Sequence, residues 1–510
     1  MRRFPLYLLL IATLVGCLGE EDYSSSSTDV LSFASDTLSL DTVISGEGSN
    51  TYMMWAYNRN NKAIRITNIA LGQGSASNFR VNVDGEYLPA GQLSEGSSFN
   101  VLAKDSLRLF VDVKAPVTGA DEPQPIEDRL IFTTETGGHS HIVLMASGQD
   151  VITVKENIIK ADTLLNALKP YRILDSLVVE EGATLRLAAG TQLLFHADAK
   201  LIVKGKLLAE GTLEKPVVLR GDRLGKMFTN QKYDEVFNQW AGITFEPTSK
   251  DNVLTYCDIH SADYGIKAYQ TSLHLENSVI HNFRGHGIES QESEIYAGNC
   301  QITNAGGDCL NLKGGSYMFV HCTIARFQNI LGSIGGVALR FTNFIDETPA
   351  PLNQLDFYNC IITGYEEDEM MGDDISTEEN LTPFSYGFYN SLLCTPETED
   401  LNQQNCIWEG KLEKDDWKHE KIELDDTVTV LKRWQHFNPL SKFVLHPHSR
   451  AVGSADANVT IKTFPNDRNG LPRLTDGKAD MGCYEYEAPK SEQWPLCLIT
   501  DKGTPTLQKE

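Results

Sequence analysis

The feature that most constrains this chain is a pattern that recurs six times in its second half. A small residue stands at Cys257, Ser278, Cys300, Cys322, Cys360 and Ser391. Two positions later comes an aliphatic: Ile259, Ile280, Ile302, Ile324, Ile362 and Leu393. Three positions earlier stand Leu254, Leu275, Ala297, Phe319, Phe357 and Phe388. Immediately before the small residue stand Tyr256, Asn277, Asn299, His321, Asn359 and Asn390. The first three spacings are 21, 22 and 22 residues, and the next two, 38 and 31, leave room for insertions. Alternation with a period of two predicts β-strands around each column. Self-similarity near 22 residues predicts a solenoid with one coil of three short strands per repeat. Stacked coils place like residues over one another about 4.8 Å apart, so the aliphatic column is a core and the small column a tightly packed inward position. The Asn column is expected to bond side chain to backbone at a bend.

The earlier coils carry the same logic. In "LVVEEGATLRLAAGTQLLFHADAKLIVKGKLLAEGTLEKPVVLRG" (177–221) each β-run is closed by Gly182, Gly190, Gly205 or Gly211. With the end segment "NDRNGLPRLTDGKADMGCYEY" (466–486), residues 172–486 resemble the right-handed parallel β-helix family, departing at Cys483, where Ala is usual. The resemblance implies an all-β chain and no particular activity, since this fold hosts lyases, hydrolases, adhesins and scaffolds. Insertions are expected near 221–240 and 363–445.

Residues 29–152 read differently: short alternating runs such as "SLRLFVDVKAP", "DRLIFTT" and "HIVLMASGQD", split by Gly, Asn and Ser. They predict an antiparallel β-sandwich, and their closing order resembles immunoglobulin-like domains of the hydin and major-sperm-protein group. Residues 153–171 would link or cap the two parts, and 487–510 form a tail.

The N-terminus predicts the compartment. Arg2 and Arg3 precede the short apolar run "LYLLLIATLV", which ends in "LVGC" (14–17). This resembles a bacterial lipobox, which implies a signal peptide over 1–16 and lipid, palmitate included, on Cys17. The acids and serines of 17–28 form a tether and resemble the surface-export signals of Bacteroidetes lipoproteins. The net charge of -25 repels nucleic acid and anionic membrane surfaces. Ten cysteines are present; with Cys17 acylated, the other nine cannot all pair within one chain.

Several residues are candidates for chemistry. "RGHGIES" with "GGDCLNLKG" offers His286 and Asp308, similar to β-helix hydrolases of pectin, although the order of their acids is reversed here. Aligning Ile266, Ile288, Leu310 and Leu339 inward puts Lys267, Glu289, Asn311 and Arg340 outward in one row, with Tyr269, Gln291, Lys313 and Thr342 in the next. Such a row resembles the base-bearing face of β-helix lyases, and is equally a stack of ion pairs. The acidic run 364–380 offers Asp368, Asp373 and Asp374 as oxygen ligands, and Ca²⁺ is the cofactor they could hold. His436, His446 and His448 lack the spacing of a known metal site.

No catalytic set is complete. The leading expectation is a non-catalytic outer-membrane lipoprotein facing the cell exterior, whose β-helix binds a polysaccharide or a partner protein. The rivals are a polysaccharide lyase, then a glycoside hydrolase, and an accessory subunit of an outer-membrane complex that docks through the acidic insertion. The anchor gives the first prediction. Cys17→Ala should release the chain from the outer-membrane fraction, and a variant that still sediments with membranes would remove the lipid from this account.

Overall fold

The computed structural model describes residues 22–155, 157–228, 231–327, 335–364, 366–399, 401–408, 443, 445 and 449–487, with short strands at Leu498–Ile499 and Pro505–Thr506. The chain divides into two compact units: Met1–Val151 with Arg223–Lys232, and Ile152–Asp222 with Tyr233–Glu510.

The first unit is a sandwich of two five-stranded sheets. Alternation builds it: along Ser106–Val113, Leu107, Leu109, Val111 and Val113 are buried while Arg108 is exposed. Leu130, Phe132, Ile142 and Leu144 meet them from the other sheet. The expected antiparallel order is broken where Thr37–Ile44 pairs parallel with His139–Gln149. A strand's own residues do not encode the direction of its partner. Residues Arg223–Lys232 pack here, with Lys226 N donating to Tyr52 Oη at 3.2 Å.

The second unit is a parallel β-helix. One face is an eleven-stranded parallel sheet, from Ile152–Thr153 to Ile407–Trp408. The other two faces merge into a seventeen-stranded sheet, because Ile288–Gly298 and Leu310–Val320 run round the corner between them. Coiling begins at Ile152, ahead of the expected boundary at 172, in strands of two or three residues too short to show alternation. Coiling also continues into the expected insertion at 363–445, as far as Trp408: Met370–Asp373, Gly387–Tyr389, Leu392–Leu393, Gln403–Gln404 and Ile407–Trp408 are further rungs.

The columns are continuous ladders. Ile259, Ile280, Ile302, Ile324, Ile362 and Leu393 pair in unbroken register, and all are buried. Phe319, Phe357 and Phe388 stack with ring centroids 4.7 and 5.3 Å apart. Cys257, Cys300, Cys322 and Cys360 are buried free thiols. The preceding column has a backbone reason beyond the expected side-chain bonds. Tyr256, Asn277, Asn299, His321, Asn359 and Asn390 all adopt positive φ, between 47° and 55°. Asn tolerates that left-handed conformation best among residues with a Cβ, so the column is the corner of the coil. Its amides do bond outward as well: Asn299 Nδ2 donates to the Asn466 carbonyl at 2.9 Å, and Asn359 Nδ2 to the Asp456 carbonyl at 3.1 Å. The end segment thereby covers this corner, with Arg473 buried and donating to Asn299 Oδ1 at 2.7 Å. Cys483 is fully buried against Thr323, which explains a small residue there.

Two predictions follow from the ladders. Ile302→Ala should cost about 2–5 kcal/mol in denaturant unfolding, the range for a fully buried aliphatic; a loss below about 1 kcal/mol would mean that the column is not close-packed. The second concerns His321, whose imidazole burial holds well below its ordinary range, with Arg473 adding to the effect. The unfolded chain takes up a proton as pH falls through about 6.5 while the folded chain does not, so this stability is present above that pH and lost below it. His321→Asn restores the residue that Asn277, Asn299, Asn359 and Asn390 carry in the same corner. It should flatten the fall in melting temperature between about pH 6.5 and 5; parallel pH curves for variant and wild type would contradict this.

Candidate functional site

Strands Ile266–Tyr269, Ile288–Gly298, Leu310–Val320 and Leu339–Thr342 lie side by side in parallel. Ile266, Ile288, Leu310 and Leu339 point inward and are buried. The pleat then turns Lys267, Glu289, Asn311 and Arg340 outward in one row, and Tyr269, Gln291, Lys313 and Thr342 in the next. Two positions before each inward residue, the coil turns supply Tyr264, His286, Asp308 and Val337. All five candidates named from sequence, Lys267, Glu289, Arg340, His286 and Asp308, therefore share one face across four rungs.

Their contacts define what the face can do. The Asp308 carboxylate is almost fully buried. Its Oδ1 accepts from Val337 N at 2.9 Å and its Oδ2 from Arg340 Nε at 3.0 Å. Lys313 Nζ lies 3.8 Å from Glu289 Oε1. Lys267 Nζ sits 3.6 Å from the centroid of the Tyr264 ring, a cation–π contact. His286 Nδ1 accepts from Asp308 N at 2.9 Å, which places the imidazole proton on Nε2. The Asn311 amide faces Nε2 at 3.3 Å, and its oxygen has no other partner; turning the amide over gives that proton its acceptor. Burial holds His286 below its ordinary pKa against the pull of Asp308, so the ring is neutral. The face is thus rich in donors, and its carboxylates are paired.

The acids proposed as Ca²⁺ ligands do not converge. Asp368 Oδ1 accepts from Met370 N at 3.1 Å. Asp374 Oδ1 accepts from Asn343 Nδ2 at 2.6 Å and Ser376 N at 2.7 Å. Asp373 is exposed beside Thr342. Glu369, in the same run, is buried: its Oε2 accepts from Ala338 N and its Oε1 from Glu366 N, at 2.9 and 2.7 Å. Part of the acidic run is therefore a turn staple. Cys17, His436, His446 and His448 lie outside the described residues.

Sequence reasoning missed a second cluster, on the eleven-stranded face. Asp258 and His260 point outward from Cys257–His260, and His281 stands in register with His260 on the next rung. Asp258 Oδ1 lies 2.9 Å from His260 Nδ1 and 3.2 Å from His281 Nε2. The imidazoles stack with centroids 5.0 Å apart. His260 Nε2 lies 3.4 Å from Asp234 Oδ1, and Arg220 is ion-paired to the same oxygen. Burial alone would lower His260, but the Asp258 and Asp234 carboxylates outweigh it and push the ring up to about 9. Burial would raise Asp258, and the two imidazoles overcome it to hold the carboxyl well below its usual range. The signal was legible: both histidines stand three positions after the small residue of their repeats.

A family described as "Right handed beta helix region" matches residues 241–366, the coils that carry both clusters. The fold there is a right-handed parallel β-helix. No curated protein matches the chain. Among solved structures the chain is similar to the ASH / PapD-like domain of human CEP192 (PapD-like domain 7). That likeness covers 25% of this chain and 90% of that one, at 7% identity and a TM-score of 0.17.

Proposed function

We propose that this chain is a lipid-anchored, outward-facing outer-membrane lipoprotein whose β-helix binds a glycan on the Lys267–Arg340 face without turning it over. The observation that carries the reading is the donor set on that face. Arg340, Lys267 and Lys313 stand on three of the four rungs of that face, with the Tyr264 ring beside Lys267. Sugar hydroxyls and carboxylates are acceptors that such donors recognise, and rings cover their apolar faces. A protein partner would call for an apolar centre in the patch, and the row is polar. The anchor and the outward display rest on "LVGC" and the acids after it.

Catalysis fits the contacts less well. A lyase needs a free base at the acidic carbon of a uronate. Arg340 is tied to buried Asp308, Lys267 lies on a ring, and the Nδ1 lone pair of His286 is occupied. A hydrolase needs two available carboxylates, and both oxygens of Asp308 are engaged.

A glycan array tests the binder. Wild type should retain at least one glycan selectively, and Lys267→Ala with Lys313→Ala should weaken that binding at least about tenfold, or about 1.4 kcal/mol. Pectin, alginate and glycosaminoglycans, with or without Ca²⁺, should yield no unsaturated product. An ultraviolet-absorbing product abolished by Lys267→Ala or Arg340→Ala would make the chain a lyase, and a blank array would remove the glycan.

A further inference from the structure

We infer that Asp258, His260 and His281 form a binding site for a first-row divalent transition ion, with Zn²⁺ as the reference case. Three independent features point to it. The first is convergence. The His260 and His281 nitrogens, from neighbouring rungs, aim at the same oxygen, Asp258 Oδ1, at 2.9 and 3.2 Å. All three ligand atoms lie within 4.8 Å of one another. Ligands about 2.0–2.1 Å from a tetrahedral Zn²⁺ stand about 3.3 Å apart, so the two short edges of this triangle need shifts of a few tenths of an ångström, and the edge between the two imidazole nitrogens, at most 4.8 Å, closes toward the same length. Two imidazoles and a carboxylate are the donors that such ions prefer over Ca²⁺ or Mg²⁺.

The second feature is the outer support. A metal-bound imidazole generally gives its other N–H to a carboxylate, which fixes the ring. His260 Nε2 has that partner in Asp234 Oδ1, at 3.4 Å. Asp234 is itself held: Arg220 pairs with it, and its carbonyl accepts from Ser261 Oγ at 2.8 Å and Asn282 Nδ2 at 3.1 Å. In the metal-free chain the Nδ1 side of the ring meets Asp258; an ion takes the place of that Nδ1 proton and leaves the Nε2 bond intact.

The third feature is that packing does not ask for imidazole here. The same column continues as Thr303, Ala325 and Thr363, on rungs of identical register. The histidines occur only where the turn Tyr233–Glu235 brings Asp234 over the sheet. The Asp258 side chain is 34% exposed while His260 and His281 are 6% and 11%. Three protein ligands with one open side leave room for a water or a ligand on the ion. The site lies on a different face of the coil from the donor row, and it stands or falls separately from the glycan reading.

The test uses the full-length chain without an affinity tag, stripped with chelator and titrated with Zn²⁺ against a chromophoric competitor, and with Co²⁺ read by its visible absorption. Wild type should take up one ion per chain. Asp258→Asn and His281→Thr should each weaken binding at least about a hundredfold. Asp234→Asn should keep the stoichiometry and lose about 10- to 100-fold in affinity. Thermal melts in chelator check that the variants fold; His281→Thr copies the Thr303 rung and should match wild type there. Failure of wild type to compete for either ion overturns the site. Equal binding by His281→Thr does so as well, by assigning the ion to histidines elsewhere in the chain.

Discussion

Everything in the second unit depends on hydrogen bonding between parallel rungs in fixed register. Once Ile280 lies over Ile259, each residue of a coil has its counterpart in the next coil as neighbour. Core, corner and surface all become ladders. The arrangement amplifies local fitness: a residue that suits a corner suits every corner. That is why Asn recurs where φ is positive, and why a small thiol or hydroxyl recurs one position later, where the backbone turns inward. A buried thiol serves there as a small apolar group, which accounts for four of the cysteines without any disulfide.

The same register constrains the surface. Like charges in one outward column would stand about 4.8 Å apart, so a charged row has to alternate or pair. The Lys267–Glu289–Asn311–Arg340 row alternates in this way. Arg340 also reaches sideways to Asp308, a charged and hydrogen-bonded contact for a nearly buried carboxylate. The resulting face is a stable, donor-rich strip, built with the same economy as the core.

Much of this was readable from the residues, and the reason is periodicity. The Ile column, the Phe column and both outward rows follow from a period of two within strands and about 22 between them. Apart from the pair His260 and His281, what escaped lacked repetition. The first coils use strands of two or three residues at Ile152–Thr153, Ile158–Ile159 and Thr163–Leu165. The parallel pairing of Thr37–Ile44 depends on a partner a hundred residues away. Glu369 stands in the same acidic run as the exposed Glu366 and Glu367, and only the turn beside Ala338 buries it. The role of Asn at the corner was half legible: its bonding was expected, and its left-handed backbone was not.

Periodicity also explains where sites arise. A perfect ladder presents the same group at every rung and gathers nothing, because each side chain points along its own column. Convergence needs an element that breaks the repeat. At the donor-rich face that element is the turn before Leu339, whose Val337 N–H meets Asp308 alongside Arg340 of the strand that follows. At the histidine pair it is the turn Tyr233–Glu235, which carries Asp234 to His260. In both places one buried or half-buried carboxylate collects groups from different rungs. The coils supply rigid, evenly spaced positions, and the irregular segments choose which of those positions work together.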